Sequence, residues 1–272
     1  MSDAYDNFTR AIEEAHPAES AATRRQLVAG ATGVIGGMGL LGALTGEAKA
    51  THRRNHTGPN TVENIINIAA TAEVLATIVN QVGVETVPGL DNVTQRNVRT
   101  AALQERIHYE VLVSDAVGAR ALTKRIWVPN EVFENRDNFL TTLVVGDQIF
   151  INAYLLATTV FARPTTSTGS RLSRIAAEFM GVEAVHRALA LQSLGRLGND
   201  RAFMKFAQDE EAPGLPTTGK AGFFDITRAP AILQAFGFGF GEEGNKPGRF
   251  YEYDEVAPRV GDDRDVNTRS PR

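Results

Sequence analysis

The chain has 272 residues, 28 basic and 32 acidic side chains, a net charge of −4 and no cysteine. Its hydrophobic content of 43% is enough to build a core, so a globally disordered chain is excluded. The mild acidity gives no electrostatic reason for nucleic-acid binding. The missing thiol excludes disulfides, cysteine-ligated metals, a thiol nucleophile and a lipid-modified cysteine. Any metal must therefore sit on His, Asp and Glu.

The first segment has the parts of an export signal. Arg24-Arg25 with Leu27 is followed by Val28 to Thr45, uncharged and rich in glycine, and then by Ala48-Lys49-Ala50. A charged pair, an apolar stretch and a small-x-small cleavage pattern occur in that order in secretory signals. The arginine pair is similar to a twin-arginine signal. Glycines weaken this stretch as a membrane-spanning helix. The expectation is a leader over residues 1–50 handled by the twin-arginine export machinery, and a linker over 51–60. No stable membrane anchor is expected, and the product would be periplasmic or extracellular.

Four helical stretches follow. Ile65, Ile66, Ala69, Ala72, Val79 and Val82 have helical spacing over 61–82, before Pro88-Gly89. The second stretch is predicted from Asn92 or Thr94 to about Lys124. The third is predicted over 138–162 with Asp137 as its cap, and the fourth over about 171–195 after Ser170. No strand pattern stands out. The predicted fold class is all-α, a four-helix bundle over 61–205. Beyond it, 206–272 reads as a Gly- and Pro-rich extension, partly disordered. There Phe236, Phe238 and Phe240 pack on the bundle or on a partner.

The chemistry sits on the helices. His108 and His186 each follow a glutamate by three residues, in Glu105-Arg106-Ile107-His108 and Glu183-Ala184-Val185-His186. In a helix, i and i+3 project on one face and can reach one metal. One such pair arises readily by chance, and Glu13 and His16 in the leader are an instance. The stronger signal is the carboxylate one helix upstream of each pair: Glu73 before Glu105, and Asp147 before Glu183. Both upstream carboxylates lie among apolar neighbours, where a bare charge is costly. Four carboxylates balance two divalent ions. One carboxylate from each of two helices plus Glu-x-x-His from each of the other two is the di-iron or di-manganese pattern of helical bundles. Oxygen-rich ligation with one imidazole per ion favours iron or manganese over zinc or copper.

Three motifs carry a family resemblance: Ile65-Ile66-Asn67-Ile68-Ala69 leading to Glu73; Asp147 followed by Ala153-Tyr154; and Ala176-Ala177-Glu178-Phe179-Met180-Gly181-Val182-Glu183-Ala184-Val185-His186. The chain resembles the ferritin-like superfamily, most closely the ferritin-like domain proteins related to plant desiccation-induced proteins. The family usually has Glu where this chain has Asp147, and often a second Glu where it has Ala76. The resemblance implies that Glu105 and Glu183 bridge two metals. It also implies that Glu73 and Asp147 are terminal carboxylates, and that His108 and His186 each cap one ion. Tyr109 and Tyr154 lie near the ligands in sequence; each is open to a role as a redox-active phenol or as a hydrogen bonder to a ligand, with packing as the expected role.

The expected function is oxidation of Fe(II), or reaction of two Fe or Mn ions with oxygen or peroxide. A catalase-like peroxide scavenger would share the ligands. The alternative is a non-catalytic, stress-protective or structural helical protein that keeps the bundle. Metal ions, oxygen or peroxide and the export machinery are the expected partners. A homo-oligomer stays open.

Overall fold

The computed structural model describes residues 58–163, 166–199 and 225–262. The expected leader, with Arg24, Arg25, Ala48 and Ala50, lies outside the described residues, as does most of the linker. Thr61 opens the first helix, α1 (Val62–Thr86), its side chain accepting from Asn64 N at 3.1 Å. Pro88-Gly89 ends it, and Gly89 takes a φ of +78°, which glycine alone adopts freely. Asp91 caps α2 (Asn92–Val113) by accepting from the amides of Val93 and Thr94.

The second helix is shorter than its apolar spacing predicts. It stops at Ser114, and the chain turns through Gly118, at φ +79°. Two side chains of α1 then catch the loop. Asn67 Oδ1 accepts from Arg120 N at 2.7 Å, and Thr71 Oγ1 accepts from Leu122 N at 2.8 Å. These bonds satisfy the backbone that a continued helix would have paired internally. The apolar residues read as helical are used by the loop instead, with Ala119 buried and Leu122 packed on the core.

A strand, β1 (Arg125–Pro129), and a short 3-10 turn at Asn130–Phe133 follow. The third helix, α3 (Arg136–Phe161), starts earlier than expected. Asn135, not Asp137, is its cap and accepts from Asn138 N at 2.9 Å. The fourth, α4 (Ser167–Ser193), is capped by Thr166 through Gly169 N, not by Ser170. Its end passes into Gly195 at φ +73°.

The described chain is mostly helical, with one small sheet. Helix α1 packs on α2 and α3, and α4 packs on α3 and α2. The interior between them is continuous from Ile65 to Phe179. Helices α1 and α3 are apolar enough, and long enough, to cross a membrane by length and composition. Here 72% of each apolar window is buried inside the fold instead, and each helix carries a buried carboxylate.

A small sheet accompanies the helices, and within the C-terminal extension residues 225–262 are structured. That segment forms α5 (Arg228–Ala235), β2 (Gly239–Phe240), β3 (Gly248–Glu252) and a one-turn α6 (Tyr253–Val256). β1 is the central strand of an antiparallel sheet in the order β2-β1-β3, with Ile126 opposite Phe240 and Tyr251. Trp127 donates its indole N–H to Lys246 O at 3.0 Å. Phe238 and Phe240 are buried in the main core and Phe236 packs on it, so these rings cover this chain's own helices.

Candidate metal centre

Each of the four long helices contributes inward-facing polar groups at mid-length. Glu73 comes from α1, Glu105 and His108 from α2, Asp147 from α3, and Glu183 and His186 from α4. All six are buried, Glu73 and Glu183 completely. They form two groups of four. Glu73, Glu105, His108 and Glu183 are one; Glu105, Asp147, Glu183 and His186 are the other. Within each group one donor atom per residue lies within 4.8 Å of all the others. Glu105 and Glu183 belong to both.

The donor atoms converge closely. His108 Nδ1 is 3.5 Å from Glu73 Oε2, 3.3 Å from Glu105 Oε2 and 3.5 Å from Glu183 Oε1. His186 Nδ1 is 3.0 Å from Glu105 Oε1 and 3.5 Å from Glu183 Oε2. Even so, Glu73 Oε2, Glu105 Oε2, Asp147 Oδ2, both Glu183 oxygens and both histidine Nδ1 atoms have no hydrogen-bond partner. Buried polar atoms in folded proteins are nearly always paired. Seven orphans facing one another are a donor set that lacks an acceptor of electron pairs, and a cation satisfies them together. These buried clusters could hold a metal ion.

The electrostatics of the bare site agree. Burial pushes the Glu73 carboxyl well up, with His108 opposing and Glu105 and Glu183 adding to it. Burial also raises Asp147, with Glu183 adding and His186 and Arg187 opposing. Burial works to raise Glu105 too, but the imidazoles of His186 and His108 hold it below the usual carboxylate range. Burial disfavours charge on His108, yet the facing carboxylates, Glu73 first, push it up to about 12. His186 is raised in the same way by Glu105 and Glu183. Protons thus take the place of metal charge in the bare site.

Comparison with protein-family models, with curated proteins and with solved structures finds no match.

Five further residues complete the surroundings. Tyr154 donates its hydroxyl to Glu73 Oε1, and burial, with the charge of Glu73 next, keeps the phenol protonated. Of the roles open to Tyr154, packing and a hydrogen bond to a candidate ligand, it takes the second. Tyr109 does serve packing, tilted against Tyr253 at 4.6 Å between centroids. Gln104 Oε1 lies 2.7 Å from His186 Nε2. Phe179 stacks on His108 at 3.8 Å with 19° between planes. Arg187 is buried, and its charge reaches Asp147.

Sequence reasoning missed Gln104, Phe179 and Arg187. Phe179 and Arg187 sit four residues before and after Glu183, on the same helical face, so spacing carried a signal for both. Gln104 carried none, because it points from α2 toward α4 and matters only once those helices are adjacent.

Proposed function

We propose that the chain is an exported ferritin-like protein whose four long helices hold a di-iron or di-manganese centre, and that it oxidises Fe(II) or reacts with oxygen or peroxide. The observation that carries this reading is the pair of four-residue groups sharing Glu105 and Glu183. Carboxylates common to both groups would hold two ions side by side. Glu73 and Asp147 would be terminal ligands, with His108 on one ion and His186 on the other. One imidazole among three carboxylates per ion suits iron or manganese. When bound, the metal pair supplies the redox chemistry.

The chain's own residues orient and insulate the donors. Tyr154 fixes one oxygen of Glu73 and leaves the other facing His108. Gln104 accepts from His186 Nε2, which selects the tautomer with its Nδ1 lone pair toward Glu105 and Glu183. Phe179 covers the His108 ring and excludes water from that side. Export is part of the same proposal and rests on Arg24, Arg25, Ala48 and Ala50.

The test is turnover. Metal-free protein is given Fe(II) in aerated buffer, and oxygen consumption is followed against buffer alone. In a separate run, manganese-loaded protein is given peroxide and oxygen evolution is followed. The expected result is catalysed consumption or evolution that Glu183→Ala abolishes. Stoichiometric metal with neither reaction would instead favour the stress-protective alternative.

A further inference from the structure

The candidate centre is not equally enclosed on its two sides. The Glu73–His108 side is walled by Tyr154, Phe179 and the apolar interior. The Asp147–His186 side faces a cavity bounded by all four long helices. Half-buried Asn97 and Ser193 and the buried hydroxyl of Thr94 line it toward the surface, and Asn80, Asp147 and His186 line it within. It has about 20 Å³ of space, and a water-sized particle needs roughly 10–15 Å³ on the same measure.

Asn80 is the unexplained group. It is only 3% exposed. Its amide N–H donates to Ala76 O at 3.0 Å, which fixes the orientation of the amide. The carbonyl oxygen Oδ1 is buried and has no hydrogen-bond partner. Asn80 and Asp147 also both line a second cavity, beside Phe236 and Phe238. Here Asp147 stands where the resembled family has the longer Glu.

An apolar cavity offers a contrast. It is lined by Ile65, Ile68, Phe150, Leu233 and Tyr154, and Tyr154 has already committed its hydroxyl to Glu73. A divalent cation crossing there would lose hydration with little in return. The cavity over Asn80 also has apolar walls, Leu140, Leu143 and Leu189 among them, and its Thr94 hydroxyl already donates to Asp91 Oδ2; but it is lined by Asn80, whose Oδ1 is unpaired, and by the carboxylate of Asp147 and the imidazole of His186. Hard cations favour such donors.

We infer that a divalent cation enters through this cavity, and that Asn80 Oδ1 is a transit ligand that hands it to Asp147 and His186. Asn80 acts on the rate of loading and not on the final content. The inference rests on the proposed metal centre, and its test separates the two.

Metal-free full-length protein is mixed with Co(II), and loss of free Co(II) is followed with a chromophoric indicator in a stopped-flow instrument. Final content is measured by elemental analysis. Asn80→Ala removes the oxygen without filling the cavity; Asn80→Leu removes it and fills the space; Asn80→Asp keeps an oxygen donor. Loading by the Ala and Leu variants is expected to slow about tenfold, equivalent to one decade in rate. The Asp variant should load about as fast as the parent, and all should reach the parent's final content. Ala or Leu loading at the parent rate, or Asp as slow as Ala, would overturn the transit role. A parent protein that takes up no Co(II) at all would instead overturn the metal centre itself.

Discussion

Glu73, Asp147, His108 and His186 all hold protons more tightly in the bare fold than in water. The consequence for stability has a definite sign. His108 is raised above its ordinary 6.5, so its contribution is full below that pH and fades as pH rises through about 12. Glu73 and Asp147 are carboxyls raised by burial, so the fold loses stability as pH climbs above their ordinary values. Both effects make the metal-free protein weaker at higher pH. A metal requires the deprotonated forms, so its binding releases protons and tightens with pH. The rise in melting temperature on adding Mn(II) is therefore expected to be larger at about pH 8 than at about pH 5.5. Thermal unfolding at the two values checks this; an equal or smaller rise at the higher pH would contradict it. The six buried carboxylates and imidazoles of the candidate centre were readable because their spacing is set within single helices and repeated. Tyr154 was readable as a neighbour and a possible hydrogen bonder, but its partner was not, because the bond crosses from α3 to α1, 81 positions away.

Helix positions followed from apolar spacing and from breakers such as Pro88-Gly89, since the four helices bury most of what that spacing marks. Their ends followed less well. Asn135 and Thr166 compete with Asp137 and Ser170 for the capping role, and all four residue types cap well. The sheet was not readable. β1 is five residues long, and its partners lie more than 100 positions away. Local pattern says little about such pairing, whereas the burial of Ile126 and Val128 settles it in three dimensions. One close approach fixes how α1 meets α3. A β-carbon on Gly83 would sit 2.1 Å from Phe139 Cε2, and the Phe139 ring is fully buried. Gly83→Ala should therefore cost about 1–3 kcal/mol despite the better helix propensity of alanine. Urea unfolding measures it, and adding Phe139→Leu should recover part of the loss. A stabilised Gly83→Ala protein would mean that the two helices are not packed this closely.

The molecule as a whole uses its interior for two purposes. An apolar core built from α1 and α3 is closed by the segment 225–262, whose Ile226, Leu233, Phe238, Phe240, Tyr253 and Val256 are buried. Few aliphatic residues and many glycines made that segment read as a tail; the aliphatic side chains it does have are buried, beside its aromatic rings and with strand pairing at long range. Inside this shell lies a polar group that the fold itself leaves unsatisfied, with seven buried donor atoms lacking hydrogen-bond partners. Such a group could hold a metal ion. With no cysteine available, carboxylates and imidazoles are the ligands this chain has. The direct test is elemental analysis of the full chain purified from iron- and manganese-replete cells, beside Glu105→Ala and Glu183→Ala. The account predicts two ions per parent chain and none in either variant, because each glutamate serves both groups. A folded parent chain without stoichiometric metal, or a Glu183→Ala chain that keeps two ions, would contradict it.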